Sequence, residues 1–241
     1  MIILLSIEVI IIIFLYIRKE LDDMETFIKK HEYNYIKKCL HDLNNAFRSS
    51  VDANFIEATK GYINEKILSI FQNLSEEEKK LLDITKIEGP LFINMYLSKL
   101  DEYVYGMPNI TNAQLSNLFK KEKKLKIPNN QDYKKVYLGW IDGSTRKLLV
   151  AYNMNGKFVS MACRIPKDNS NHVYICALCN KMGHKNEVAF VSPICKTDNT
   201  CEGSYKSIGF NMCLDSAKCN DRIVSTEKLE RILKEVNNIK E

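Results

Sequence analysis

Histidine is scarce in this chain: four in 241 residues, His31, His41, His172 and His184, scattered and in no shared motif. No Gly-rich phosphate loop follows a strand, and neither a Gly-x-Ser-x-Gly elbow nor a His-Glu-x-x-His helix occurs. These absences remove the common nucleotide-binding, hydrolase and metalloprotease readings. No residue is named as catalytic, and the chain is expected not to be an enzyme. Charge of one sign is lacking too. Against 30 Asp and Glu stand 35 Lys and Arg, a net charge of +5, less than a dedicated nucleic-acid binder shows. Tryptophan occurs once, at Trp140, and is expected in the core.

Cysteine is nearly absent from the first half, where Cys39 stands alone, while the others run from Cys163 to Cys219. No small-residue cleavage site marks a secretory signal. Clustered Cys-x-x-Cys spacing then reads as metal binding in a reducing compartment, the cytoplasm, rather than as disulfides. Residues 1–17 are almost wholly apolar, with Glu8 in their middle and Arg18 and Lys19 after them. That length is at the short limit for a membrane-spanning helix. The preferred reading of residues 1–23 is an over-long gene start, with Met24 just before the first amphipathic stripe. The alternative is a short anchor tethering the rest of the chain to a membrane.

From Met24 to about residue 107 the periodicity is helical. Ile36, Leu40, Leu43 and Phe47 make one stripe; Phe55, Thr59, Tyr62, Ile63, Ile67, Ile70 and Phe71 make a second. Ser75 with Glu78 forms a capping box that starts a third helix. After Gly89, Pro90 suits the first turn of a fourth, with Leu91, Phe92, Met95, Tyr96, Leu100 and Tyr103 on one side. Short connections between such helices predict a bundle. Thr111 with Gln114 opens a further helix that runs into Lys120, Lys121, Lys123, Lys124 and Lys126 and stops at Pro128 and Asn129-Asn130. That basic run reads either as a solvated face or as a contact with ribosomal RNA or an acidic protein. Strands follow at Val136–Ile141, Lys147–Tyr152 and Lys157–Ile165, joined by turn residues into an antiparallel meander.

The sharpest signal is metal-like. Cys176-x2-Cys179 and Cys213-x5-Cys219 are separated by 33 residues. A Cys-x-x-Cys knuckle aims two sulfurs at one ion, and a distant pair closes a tetrahedron around zinc. With four protein ligands no position remains for water or substrate, so one structural Zn2+ is expected. His184, Cys195 and Cys201 are rivals, as ligands of a second metal or in place of Cys219. The preferred reading leaves them a loop histidine and free thiols, beside a Thr197-Asp198-Asn199-Thr200 surface loop. Asp215 and Ser216 are placed to cap a helix inside the second pair. Ser225 is placed to cap a C-terminal helix with Leu229, Ile232, Leu233, Val236 and Ile239. The fold class expected is α+β: residues 24–107 a helical bundle, residues 108–241 a small antiparallel sheet with a treble-clef-like zinc finger (ligands 176–219) and a final helix.

In order, the stretches His31–Lys38, Leu118–Pro128, Leu138–Trp140, Cys176–Lys181 and Cys213–Asn220 resemble the fusidic acid resistance proteins of the FusB/FusC type, the elongation factor G-binding proteins. The resemblance runs from about Met24 to the C-terminus. It implies a helical bundle, a zinc domain that binds elongation factor G, and release of the factor from ribosomes on which fusidic acid has locked it. The drug is neither altered nor exported. It also implies zinc-ligand roles for Cys176, Cys179, Cys213 and Cys219. Resistance members carry aromatic and lysine side chains before the first and third cysteines and on the last helix. Ile175, Ile208, Asn211 and Ile232 stand there in this chain, with Tyr174, Tyr205, Lys206 and Phe210 close by. Tyr174, Tyr205, Lys206, Ile208, Phe210, Asn211 and Ile232 are therefore the expected partner contacts. The alternative reading is a zinc-finger protein that binds ribosomal RNA through Lys120–Lys126.

Overall fold

The computed structural model describes residues 25–122, 125–128, 134–167, 170–196 and 207–239. The apolar residues 1–23, Lys123, Lys124, Asn129-Asn130, the 197–200 loop, Cys201, Tyr205 and Lys206 lie outside them. Among the described residues the first half is helical: α1 (Lys30–Ser49), α2 (Ala53–Leu68), α3 (Glu76–Leu82) and α4 (Pro90–Asp101). A two-residue parallel pair, β1 (Ile28–Lys29) with β2 (Val104–Tyr105), ties the beginning of this unit to its end. The local signals hold. Ser75 and Glu78 form both arms of a capping box, and Pro90 sits in the first turn of α4. Their common core contains Ile36, Leu40, Leu43, Ile63, Ile67, Leu82 and Leu100.

Two of the stripes are split between core and solvent. Phe55 and Tyr62 on α2 are 49% and 64% exposed, and Leu91, Phe92 and Met95 on α4 are solvent-facing. On α4 the buried side chains are Ile93 and Leu100, with Tyr96 and Leu97 packed beside them. Both helices carry apolar residues around much of their circumference. Periodicity then identifies a helix without choosing its inward side.

Helix α5 (Asn112–Leu118) has the expected Thr111–Gln114 capping box. It ends before the basic run, which corrects the longer helix read from the sequence. Phe119 leaves helical geometry at φ −112° and ψ 36° and packs edge-on against Trp140, ring centroids 5.3 Å apart. Lys120 and Lys121 then lie exposed, and Glu122 is drawn back to Lys147 at 2.7 Å.

The main sheet is antiparallel in the order β3-β4-β5-β8-β9. Its members are β3 (Leu138–Asp142), β4 (Lys147–Met154), β5 (Lys157–Arg164), β8 (Val188–Pro193) and β9 (Phe210–Cys213). An Asn155-Gly156 turn with both residues at positive φ closes the β4–β5 hairpin. Strand β4 is covered on both faces. Leu148, Val150 and Tyr152 face the finger and the last helix, while Leu149 and Ala151 face α5 together with Leu138. Successive side chains of a strand point to opposite sides, so a strand buried twice reads as a continuous apolar run. A separate hairpin, β6 (Val173–Ile175) with β7 (Met182–His184), precedes β8. The chain closes with α6 (Ser216–Asn220) and α7 (Glu227–Asn237). Strands β6 to β9 were not separated in the sequence reading. Helix α7 starts after Thr226, one residue later than expected, with the Ser225 hydroxyl accepting from the Glu227 amide at 3.3 Å, and Ile239 lies beyond its end, 42% exposed.

No helix among the described residues is long and apolar enough to cross a membrane.

Candidate metal centre

The β6–β7 hairpin is a knuckle. Cys176 follows β6, and its amide donates to the Lys181 carbonyl at 2.9 Å, while the Asn180 amide returns to the Cys176 carbonyl at 3.0 Å. Asn180 takes φ 59° to make that turn, a conformation asparagine tolerates better than most side chains. Both thiols of the turn are thus held on one side. The Ala177 amide donates to the Asn211 carbonyl at 2.8 Å, which fixes the knuckle against β9. Cys213 ends that strand. Asp215 then caps α6 by accepting from the Lys218 amide, and one turn later the helix delivers Cys219.

The four sulfurs lie within 4.8 Å of one another. Cys176 Sγ is 3.9 Å from Cys219 Sγ, and Cys179 Sγ is 3.6 Å from Cys213 Sγ. Tetrahedral zinc with bonds near 2.3 Å sets its sulfurs roughly 3.8 Å apart. The donor set, its spacing and its burial therefore fit one zinc ion. Three of the four cysteines are buried and Cys179 is half-buried. Contact with the Cys176 sulfur pulls the Cys179 thiol well down and pushes the Cys213 and Cys219 thiols well up. Four thiols this close cannot all ionise by themselves; a divalent cation among them lets them do so.

Two further side chains reach the cluster, and the sequence reading named neither. Arg222 Nη2 donates to Cys213 Sγ at 3.7 Å. The Tyr137 hydroxyl is buried with no nitrogen or oxygen partner. Burial, and after it the Cys219 sulfur, push its pKa well above 10. Such outer groups orient metal ligands and tune their basicity. Only their position after folding reveals them, since neither lies in a ligand motif.

The remaining candidates separate. Cys195 is half-buried against the sheet, and exposed His184 stands on β7; neither joins the sulfur cluster. His41 is exposed, whereas His31, also on α1, is half-buried and feels the charge of Glu230. Among the expected partner contacts, Tyr174, Ile208, Phe210 and Asn211 are half-buried, and the Tyr174 hydroxyl meets Ser170 Oγ at 3.0 Å. Ile232 is corrected to a core residue, 6% exposed, because the inner face of α7 packs on the sheet.

Residues 27–108 match the family model described as elongation factor G-binding protein, N-terminal. Residues 111–240, more than half of the chain, match the one described as FBP C-terminal treble-clef zinc-finger. The chain belongs to this elongation factor G-binding family. A solved structure of the fusidic acid resistance protein FusC is similar in fold, with a TM-score of 0.70 and 22% identity, covering 89% of this chain and 100% of that one. No curated protein matches the sequence. The family's treble clef accounts for the knuckle, the β8–β9 hairpin and α6, and its structural zinc accounts for the four converging thiols.

Proposed function

We propose that this chain binds elongation factor G through residues 108–241 and hastens the factor's departure from the ribosome, including ribosomes stalled by fusidic acid. The observation that carries this reading is the family match along both halves of the chain. The fold likeness to FusC supports it.

Cys176, Cys179, Cys213 and Cys219 are the ligands of the zinc. Zinc bound there supplies a cross-link between knuckle and helix and no reaction. Tyr174, Ile208, Phe210 and Asn211 are the contacts proposed on the finger, joined by Tyr205 and Lys206. Aromatic and basic anchors of this kind carry most of the energy of such interfaces. The helical unit, residues 24–107, braces the zinc unit. A binder frees a stalled factor only if it prefers the released conformation to the locked one. No bond is made or broken, so the chain acts as a binder rather than an enzyme, and it acts in the cytoplasm where translation runs. Exposed Lys120, Lys121 and Lys126 supply any contact with ribosomal RNA during that encounter.

The test is a sedimentation assay with ribosomes, elongation factor G, GTP and fusidic acid. Added chain in excess moves the factor from the ribosomal pellet to the supernatant. A chain that binds the free factor yet leaves the pellet unchanged would contradict the release step.

A further inference from the structure

A groove of about 810 Å³ crosses the zinc half between the end of β3 and the start of β8. Its apolar surface includes Ile141, Phe190 and Leu214, and its rim carries Arg146, Lys167 and Lys185. No carboxylate is found among its described lining residues. Ile141 is 42% exposed and Phe190 46% exposed, so large apolar side chains stand open to solvent beside three exposed cations. The Phe190 ring lies over Gly209, where a Cβ has no room. Exposed apolar surface with a charged rim marks a protein-docking site. The one-signed rim specifies the occupant's charge.

We infer that this groove receives an acidic segment of elongation factor G that inserts apolar side chains. The inference rests on that factor being the partner. It extends the contact surface beyond the residues before the cysteines: Tyr174 lines the groove, and Asn211 is the cross-strand partner of Phe190. Ile141, Ile165, Pro166, Ala189 and Leu214 outnumber the two aromatic rings of the lining, Tyr174 and Phe190, and such a surface favours a protein segment. Single-stranded nucleic acid takes a row of aromatic platforms along a basic track instead.

The test measures affinity for purified elongation factor G, using the full zinc-loaded chain and three variants. These are Lys167→Glu with Lys185→Glu, Ile141→Ser, and as control Lys80→Glu with Lys99→Glu, exposed on the helical unit and outside the groove. Zinc content and thermal unfolding are checked for each, so that a misfolded variant is replaced by its Lys→Gln or Ile→Val counterpart. The groove variants each lose affinity, the charge reversal by at least about tenfold, while the control binds like wild type. Groove variants that bind like wild type overturn the groove and leave the partner standing. A wild-type chain that does not bind the factor overturns the partner and the groove with it. If the charge reversal instead abolishes binding to a ribosomal RNA fragment and spares the factor, the groove is a nucleic-acid site and the inference falls.

Discussion

Asn34, on the first helix, donates through Nδ2 to the backbone carbonyl of Asn220, on the zinc-bearing helix, at 2.6 Å. The same amide group also reaches the Ile223 carbonyl at 2.9 Å. Asn220 in turn accepts from the amides of Val136 and Tyr137 and donates to the carbonyls of Tyr137 and Ser216. Both asparagines are about 3% exposed. A chain of buried hydrogen bonds therefore joins the helical unit, the segment leading into β3 and the metal-bearing helix. The Lys30–Asp221 ion pair at 3.2 Å flanks it.

Replacing Asn34 with Leu leaves two buried carbonyls without donors, a cost of about 1–3 kcal/mol. Asn34→Asp is worse, since it substitutes an acceptor for the donor. Urea unfolding followed by Trp140 fluorescence measures both. An Asn34→Leu midpoint equal to that of wild type would show that the junction contributes nothing.

Removal of zinc unfolds the finger, because the knuckle, β9 and α6 share only a small core without it. One zinc per chain is expected by elemental analysis, with Cys176→Ser and Cys219→Ser purifying without it. Zinc retained at full stoichiometry in Cys219→Ser would assign that ligand position to another group, such as Cys195 or His184.

Arg222 places a positive charge beside Cys213, where four thiolates around one divalent ion leave a net negative centre. Arg222→Met is expected to speed zinc transfer to a chromophoric chelator about 10–100-fold, the usual scale for outer-shell groups. Arg222→Lys restores part of the loss. Equal transfer rates in all three proteins would remove Arg222 from the metal's surroundings.

His31 gives the fold a pH dependence. Burial first, and then the charge of Lys29, hold its imidazole down to about 4, against the smaller opposing pull of Glu230. The unfolded chain takes up the same proton near 6.5. Between those values the unfolded state binds more protons, so stability is full above about 6.5 and declines as pH falls toward 4. His31→Gln flattens that decline relative to wild type in denaturant titrations across the window. Parallel declines would mean that other groups cause it.

Much of this was legible from short-range pattern. The Ser75–Glu78 and Thr111–Gln114 boxes are decided within four residues, and both form. The cysteine spacing predicted four converging sulfurs because a knuckle is a local structure. What escaped depends on distant partners. Leu91, Phe92 and Met95 share a helical stripe with Leu100, yet only the Leu100 end of it is buried, and Ile93 takes the inward side because α1 lies there. Strand β8 is recognisable only once β5 and β9 flank it. Lys60 is buried although charged, its amine meeting Glu57 at 2.8 Å and lying over the Phe47 ring. The Asn34–Asn220 bond and the Arg222 contact likewise have no local signature.

The most direct measurement is a calorimetric titration of the full zinc-loaded chain into elongation factor G at 50 and 200 mM salt, beside Cys176→Ser. The account predicts a one-to-one complex whose affinity changes by no more than about tenfold between the two salts, where contact with many phosphates would cost about a thousandfold or more. It also predicts that Cys176→Ser does not bind. Absence of a complex at either salt, or equal binding by Cys176→Ser, would contradict the claim that the zinc-built half of this chain is what the factor recognises.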